Sequence, residues 1–456
     1  MPGLNTSLNI SVQALMAEQG ALNVTTNNIA NVSTPGYTRE VPILSEAATI
    51  QEGSVRFGGG VTMQQFQSVR DQLLQLRMYE ETQQQNNSQT QLNSLTQIES
   101  LFSDPTQGIG GAMTAFFNSL SQLSTNPTDN SARQQVLTTA NNLAISFHQA
   151  VSGLGTIQSD LDQSVPQVVN QINQLTKQIA TLNGQVAQMQ GLGQEPGTVQ
   201  DQRDQLITQL SALVNVSVTQ SEHGLTLTTA NGVPLVVANQ SFDLQTSNNT
   251  NGFADVVAQE QDITTQITGG KLAGVINIRD QVIPDLLNRL DTLANQFETS
   301  FNTQHQAGFD LSGNTGGNFF TPPTAVAGSA ADFGVAITDP SLIAASSDGS
   351  AGSNGNVAQL IGVRDQNLPA GAKPLDMFSN LVLQVGTLGS NAKSDSDAAG
   401  MSLQQVSDQI GAVSGVSLDE ETTNMIRYQR AYQAAARVIT TVNSMYDTLL
   451  SMGLGG

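Results

Sequence analysis

The 456-residue sequence contains no cysteine and no tryptophan, and only 4% of its residues are aromatic. The absence of cysteine excludes both a disulfide framework and a thiolate site. Hydrophobic residues make up 38% of the chain, and no apolar run reaches the roughly 18 residues that predict a membrane-spanning helix. A chain of this length accommodates two or three domains. The composition therefore predicts long polar-faced helices and small sheets, and no membrane partner.

Basic residues are scarce as well. The chain has 16 Lys and Arg against 37 Asp and Glu, which gives a formal net charge of −21. Because neutralising a phosphate backbone requires clustered Lys and Arg, we expect no nucleic-acid partner. The N-terminal residues also lack the basic region and apolar run of a cleaved secretion signal. If the protein leaves the cell, we expect a route that does not use such a signal.

Motifs for catalysis or metal binding are also missing. The histidines His148, His223 and His305 are far apart, and the sequence has no HExxH motif, nucleophile elbow or Walker loop. The glycines at 58–60 lack the Gly-Lys-Ser/Thr of a phosphate loop. The segment 308–320 lacks the alternating ligands and distal Glu of a calcium loop. We therefore predict a protein that is not an enzyme, with no catalytic residue, no cofactor and no metal.

The clearest pattern in the chain is a series of heptads at its C-terminal end. Apolar residues recur every seven positions from Leu418 and again three positions later, with one polar interruption at Glu421. This pattern predicts a long helix that offers a narrow seam to another helix. Three acidic residues favour the helix start, and Gly453 favours its end. So narrow a seam cannot offset the entropy of ordering the backbone, so the helix needs partners.

A second heptad pattern lies near the N-terminus. Its leucines and isoleucine are again seven residues apart, although several asparagines make this helix the weaker of the two. We predict that the two terminal helices pair as a coiled coil and form the assembly surface of the protein. The predicted seam residues are Leu8, Leu15, Leu22 and Ile29 of the first helix, and Met425, Tyr428, Tyr432, Ile439, Val442 and Leu449 of the last.

Between these helices, the apolar period changes along the chain. Spacings of three and four predict helices over most of the middle, whereas alternation between residues 214 and 268 predicts a small inserted β domain. The predicted fold class is therefore mainly α with an inserted β domain. The predicted boundaries are 1–67 for the N-terminal half of a core domain of helix and short strands, 68–213 and 269–410 for the two halves of a helical-bundle middle domain, 214–268 for the β domain, and 411–456 for the C-terminal coiled-coil helix of the core domain.

Three local features modify this outline. Pro42 is expected to break the strand pattern that follows the first helix. Glycines and Pro166 are expected to interrupt or kink the long helix predicted between residues 129 and 189. Within the Gly-rich stretch after residue 320, the alternation of Phe333, Val335 and Ile337 predicts one further strand.

The segment that follows the first helix is the most specific feature of the sequence. Pro35 fixes φ at the second position of a turn and Gly36 tolerates positive φ at the third, as a type II turn requires. The eleven residues 27–37, Asn-Asn-Ile-Ala-Asn-Val-Ser-Thr-Pro-Gly-Tyr, resemble the N-terminal signature of the bacterial flagellar rod, hook and hook-associated proteins. The positions that carry this motif are Asn28, Asn31, Pro35, Gly36 and Tyr37.

Further stretches resemble the hook-associated branch of that family. They are Gly-Gly-Lys-Leu-Ala-Gly at 269–274, Gly-Phe-Asp-Leu-Ser-Gly at 308–313 and Ser-Gly-Val-Ser-Leu-Asp-Glu-Glu at 414–421. The resemblance implies a secreted structural subunit at the hook–filament junction of the bacterial flagellum, exported by the type III route. It implies as partners copies of the same chain in a ring or tube, the hook protein, a second junction protein and filament proteins, and an export chaperone. It also implies that the chain ends are unstructured before assembly.

Two other interpretations remain open from sequence alone. A hook or rod subunit shares the turn signature and the terminal helix, although the long helical middle argues against it. A secreted adhesin or protease carrying its site on the segment 214–268 would belong to a different class altogether. Labelling of the whole hook would identify the former, and casein cleavage or host-surface binding the latter.

Overall fold

The computed structural model describes residues 2–52, 54–103, 108–221 and 224–453. His223 lies outside these residues. The α-helices are α1 (Pro2–Ala30), α2 (Gln72–Phe102), α3 (Ile109–Thr125), α4 (Asn130–Gly191), α5 (Gly197–Leu213), α6 (Gly270–Asn277), α7 (Ile283–Gln306), α8 (Gly355–Gly362), α9 (Pro374–Ser414) and α10 (Leu418–Gly453). A π-helical turn at Ile278–Val282 joins α6 to α7, and short 3₁₀ turns lie at Thr264–Gln266, Pro340–Leu342 and Val363–Asp365.

The strands are short and antiparallel, and they form four small sheets in the described part of the chain. Their bounds are β1 (Glu40–Glu46), β2 (Ile50–Glu52), β3 (Val55–Phe57), β4 (Val61–Ser68), β5 (Ser217–Ser221), β6 (Gly224–Thr228), β7 (Pro234–Val237), β8 (Gln240–Ser241), β9 (Gln245–Asn248), β10 (Ala254–Ala258) and β11 (Gln261–Asp262). The mainly α fold with a β-rich region inserted in the middle is thus confirmed.

The chain divides into two compact units. The terminal unit comprises Met1–Gln83, Gln171–Leu244 and Gly400–Gly456, and the central unit comprises Gln84–Asn170 and Gln245–Ala399. These boundaries differ from the predicted ones because they fall inside α2, α4 and α9, where no Pro- or Gly-rich linker marks them. A long helix contributes residues to more than one unit without any change in its local pattern.

Two predicted interruptions and one predicted strand were wrong. Helix α4 is continuous from Asn130 to Gly191 with Pro166 inside it. Pro42 lies within β1 and is paired with Phe66 of β4, which is possible because a two-stranded sheet has only edge strands, where a proline need not donate to the ladder. The strand expected around Phe333 is reduced to one bridge between Val335 and Phe320, because the apolar residues there serve side-chain packing.

The segment 214–268 forms two sheets that belong to different units. Strands β5–β8 lie in the terminal unit in sequential order, and β9–β11 lie in the central unit. The second sheet is held by Arg279, whose fully buried guanidinium donates to Asp162 at 2.7 Å and to the carbonyl of Ala254 at 2.8 Å. The alternating segment 214–268 therefore contributes strands to both units.

The core of the central unit is built around phenylalanines. The apolar stripe of α7 is fully buried, and it packs with residues of α3 and of the loop that follows α7. Ring centroids of Phe116 and Phe301 are 5.2 Å apart, and those of Phe301 and Phe319 are 5.1 Å apart. Aromatic pairs at these distances add to the free energy gained by burial. The buried stripe of α7 is Leu286, Leu290, Leu293, Phe297 and Phe301.

Polar side chains fix the Gly-rich loop after α7. The amide of Asn302 accepts from the backbone N–H groups of Phe319 and Phe320, both at 2.9 Å. His305 Nε2 accepts from the N–H of Ala344 at 2.9 Å, and burial lowers the pKa of His305, so its imidazole is neutral. Asp310 accepts from the N–H groups of Ser312 and Asn314. This loop is a hydrogen-bonded structural turn.

One acidic residue of α7 makes the stability of the central unit depend on pH. Burial raises the pKa of Glu298 to about 8, and its Oε1 atom has no hydrogen-bond partner. From about pH 4.5, where an unfolded Glu ionises, to about pH 8, the unfolded state loses this proton first, so stability falls as pH rises. We expect Glu298→Gln, which still accepts from the N–H of Gly334, to raise the free energy of unfolding at pH 8 by about 2–4 kcal/mol.

Denaturant unfolding of the wild-type and Glu298→Gln chains at pH 4.5 and pH 8 measures this difference. At pH 4.5 the two should differ little, because the glutamate is protonated in the folded state. Glu99→Gln, at an exposed position of α2, is the control. An equal gain at both pH values would show that ionisation of Glu298 is not the cause.

Candidate functional site at the paired terminal helices

The two chain ends form an antiparallel helix pair in the terminal unit. Near one end of the pair, the Asn28 amide of α1 donates to the Glu421 carboxylate of α10 at 3.2 Å. Near the other end, the Tyr446 hydroxyl of α10 donates to the Asn5 side chain of α1. Between these contacts α1 packs along α10. The pairing of the first and last helices therefore follows the heptad patterns in outline.

On α10 the predicted seam is largely the face turned to α1. Tyr428 and Val442 are only 7% and 5% exposed. Met425, Tyr432 and Ile439, at the intervening positions, are half-buried. Leu449 differs, since it is 39% exposed and lies beyond the part of α10 that is covered.

On α1 the most buried positions are not the predicted leucines. Leu8, Leu15, Leu22 and Ile29 are all half-buried, whereas the small residues between them have the lowest exposure. The reason is that α1 has two neighbours, because it packs against β1 and β4 as well as α10. The most buried apolar residues of α1 are Ala17, Ala21 and Val24. Close approach on two sides favours alanine over leucine, a preference that a heptad pattern does not show.

The signature segment after α1 adopts the predicted type II turn. The N–H of Tyr37 donates to the carbonyl of Thr34 at 3.2 Å, and Gly36 has φ of +74°. Asn31 stabilises the approach to the turn, since its amide donates to the carbonyl of Asn27 at 3.0 Å and its Oδ1 accepts from the Thr34 hydroxyl at 3.1 Å. The exposed Pro35 precedes Gly36. The motif residues therefore determine the backbone conformation of the turn after α1.

Asn28 uses all of its hydrogen-bonding capacity to join this turn to its neighbours. Its Oδ1 accepts from the N–H of Glu40 at 3.0 Å and from the Tyr37 hydroxyl at 2.9 Å. Its Nδ2 donates to the carbonyl of Glu40 at 2.8 Å and to Glu421. With two donors and two acceptor sites engaged, the buried amide holds α1, β1 and α10 together.

Arg39 completes the contact with α10. Its Nε donates to the Glu421 carboxylate at 2.8 Å and its guanidinium reaches Glu420 at 2.7 Å. Its backbone N–H donates to the carbonyl of Ser414, the last residue of α9, at 2.9 Å. Glu421 is only 2% exposed. The single polar interruption of the C-terminal heptads is thus a buried ionic contact.

A second polar cluster ties the same turn to α5. Asp201 accepts from the N–H and hydroxyl of Thr38, at 3.1 and 2.6 Å. Arg70 donates to Asp201 at 2.6 Å and to Asp204 at 2.7 Å. Asn28 was predicted as a motif residue, but none of these contacts could be predicted, because the partners in each pair are separated by more than a hundred positions and no local pattern links them.

A second apolar stripe runs along α10 beside the seam, and we call it the outer stripe. It consists of Ala434, Val438, Thr441, Met445 and Met452, at spacings of three, four and seven, and all five are exposed. Val438, Thr441 and Met445 line a groove with Gly3, Leu4 and Ser7 of α1. Contiguous exposed apolar surface of this kind marks protein–protein contact sites.

Among the described residues, no group of three or more His, Asp or Glu side chains is arranged to hold a metal ion. Over the same residues, no helix is both long and apolar enough to span a bilayer.

Comparisons with known proteins agree with the regional patterns. Residues 95–320 match the family model described as the flagellar hook-associated protein FlgK helical domain. Residues 8–38 match the flagella basal body rod protein model, and residues 411–452 match the C-terminal model of the flagellar basal body rod FlgEFG proteins. The rod models therefore cover the two ends alone, and the hook-associated model covers the middle.

Full-length relatives decide the assignment. Flagellar hook-associated protein 1 of Bacillus subtilis is 30% identical, with 97% of each chain covered. The chain belongs to the flagellar hook-associated protein 1 family. The Salmonella typhimurium member is 27% identical over 98% of this chain and 100% of its own, and the Escherichia coli member is likewise 27% identical. Membership makes this chain a structural component of the bacterial flagellum that associates with other axial components.

A solved structure has the same fold. The flagellar hook junction protein FlgK from Burkholderia pseudomallei aligns with a TM-score of 0.67 and 18% identity, covering 75% of this chain and 100% of that chain. The hook-associated family members are structural proteins of the flagellum, which agrees with the absence of catalytic motifs from this sequence. A hook or rod subunit is thereby the wrong interpretation of the turn signature.

Proposed function

We propose that this chain forms the junction between hook and filament and that its paired terminal helices are the element through which it assembles. The observation that carries the proposal is the outer stripe of α10, which stays exposed although the seam beside it is covered by α1. A helix with two adjacent apolar stripes needs neighbours on two sides. One neighbour is α1, and the other is supplied by a second subunit.

The groove beside the outer stripe indicates how copies associate. Because Leu4 of α1 and Met445 of α10 line the same groove, a single helix from a neighbouring subunit contacts both terminal helices at once. A contact between unlike surfaces of identical chains generates a ring or a helical tube. Copies of this chain are therefore its first partners, and the hook protein, the second junction protein and filament proteins contact the two ends of that ring or tube.

Export precedes this assembly. The proposed route is the flagellar type III pathway, with a chaperone that covers the apolar faces of the terminal helices until they assemble. We propose that in the free chain these helices are less protected than the central unit, since the outer stripe is then uncovered. Limited proteolysis tests this point, with cleavage sites expected in the first 30 and last 40 residues before any in the central unit.

Electron microscopy of a strain lacking the gene tests the proposed role. We expect hooks of normal length that carry no filament, because filament subunits have no surface on which to assemble. Immunogold labelling of wild-type flagella should give a single band between hook and filament. Label along the whole hook, or filaments on the deletion strain, would overturn the proposal.

A further inference from the structure

The middle of the α1–α10 pair contains small side chains on both helices. Its most buried residues on α1 include Ala17 and Ala21, and α10 contributes the half-buried alanines Ala431 and Ala435. A displacement by seven residues, about 10 Å along the axis, brings apolar positions of the two heptad patterns together again. The apolar spacing by itself therefore does not select one alignment.

The polar contact at the start of α10 distinguishes these alignments. The Asn28 amide cannot turn, because both its oxygen and its nitrogen are held by the backbone of Glu40. Arg39 is likewise anchored through its N–H to Ser414. The donors of both residues meet at the carboxylate of Glu421. They form a fixed site at one level of the pair that receives the Glu421 carboxylate, while the other end of the Arg39 guanidinium reaches Glu420.

We propose that Glu421 sets the register in which the two chain ends pair, with Asn28 and Arg39 as the positioning residues that recognise it. A displacement of one heptad in one direction brings Tyr428 to the site, and a displacement in either direction leaves the carboxylate without these partners. Burying an unpaired charge is strongly unfavourable, and a single polar residue in an apolar seam is an effective means of fixing register. The signature turn at residues 34–37 thus serves to hold Arg39 and Asn28 at that level.

The absence of cysteine from the chain allows a direct test by cross-linking. In the purified full-length chain, Asn5→Cys with Tyr446→Cys reports the native register, because these side chains are in contact. Asn5→Cys with Ile439→Cys reports a displacement of one heptad, and Val12→Cys with Tyr446→Cys reports displacement in the other direction, because Val12 lies seven residues after Asn5. A short bis-maleimide is used, and each yield is divided by that of the chain in guanidinium. Yields are compared at early times, because an irreversible reaction run to completion would also trap transient alignments.

With Glu421 present, we expect the native reporter to exceed both displaced reporters by at least about tenfold, since one polar site disfavours the other alignments. In Glu421→Leu, which continues the apolar heptad, the ratio of native to displaced yields should fall towards one, while the summed yield of the three reporters is maintained. Arg39→Gln should lower the ratio as well. Thr423→Leu, an equivalent change at an exposed position two residues away, should leave it unchanged.

The ratio of the native to the displaced cross-linking yields distinguishes an effect on register from an effect on the stability of the helix pair. A stabilising contact with no part in register would lower or raise all three yields together in Glu421→Leu, and that outcome would overturn the proposal. An undiminished ratio in Glu421→Leu, or an equal loss in Thr423→Leu, would overturn it too. The measurement uses no flagellar assembly, so its result is independent of the function proposed for the junction.

Discussion

Cells that carry Tyr428→Asp are expected to build hooks but no filaments. Tyr428 is among the most buried residues of the α1–α10 seam, and its hydroxyl accepts from the Arg427 guanidinium at 2.9 Å. Removing a buried aromatic side chain costs about 3–5 kcal/mol, and the new carboxylate would place a charged group in the seam between two helices. Tyr432→Asp, at a half-buried position of the same seam, should have the same effect to a smaller degree.

Soft-agar swimming and filament counts by electron microscopy measure this effect. Gln429→Asp is the matched control, because it introduces the same charge on the exposed side of α10 and should leave swimming unchanged. The phenylalanine core of the central unit is remote in sequence from Tyr428 and does not include it, so circular dichroism should show that the mutant retains most of its helix. Normal filaments on Tyr428→Asp cells would show that the seam is not needed for assembly.

Met445→Asp should also abolish filaments, but for a different reason. Met445 is 51% exposed in the single chain, so its replacement should change the free energy of unfolding by no more than about 0.5 kcal/mol. In the assembled junction the same residue would be covered by a neighbouring subunit, and a buried unpaired carboxylate would then oppose association. The large effect on assembly should therefore appear without an effect on the chain itself.

The control for this prediction is the adjacent residue. Ser444→Asp places the same charge on an exposed polar position and is expected to be neutral. Secretion of Met445→Asp into the medium, with hooks that lack filaments, would locate the defect after export. If Met445→Asp cells swim normally while Tyr428→Asp cells do not, the outer stripe is not the intersubunit surface, and the junction must assemble through other faces.

Much of the central unit could be predicted from the sequence because its signals are local. The spacing of Leu286, Leu290 and Leu293 with the two following phenylalanines identifies one face of α7, and all of them are buried. The Gly-rich loop is similarly readable, since an aspartate two residues before a serine and four before an asparagine favours a turn. The element that packs against each apolar helix face could not be derived. Amphipathic spacing indicates that a face is covered, but it does not indicate which element covers it.

The terminal helices show which features a local heptad pattern predicts and which it does not. Heptads located α10 and identified most of its seam, because α10 has one covered side and its apolar residues mark that side. They misplaced the most buried positions of α1, because two elements cover α1 and the closest approach selects alanine. The helical boundaries of the two units were missed for a related reason, since a helix keeps its period whichever unit it packs against.

Several properties are determined by the sequence alone, since each depends on residue types and spacings. They are the order of helix and strand, the absence of thiol and catalytic motifs, the excess of acidic residues and the two terminal heptad patterns. The division of the β-rich segment between two units and the choice of Ala17 and Ala21 as the buried side of α1 depended on tertiary structure. So did the contact that joins Asn28 and Arg39 to Glu421, because its partners are separated by nearly four hundred residues. A carboxylate that interrupts a heptad is destabilising or specific according to what faces it, and only the folded chain determines that.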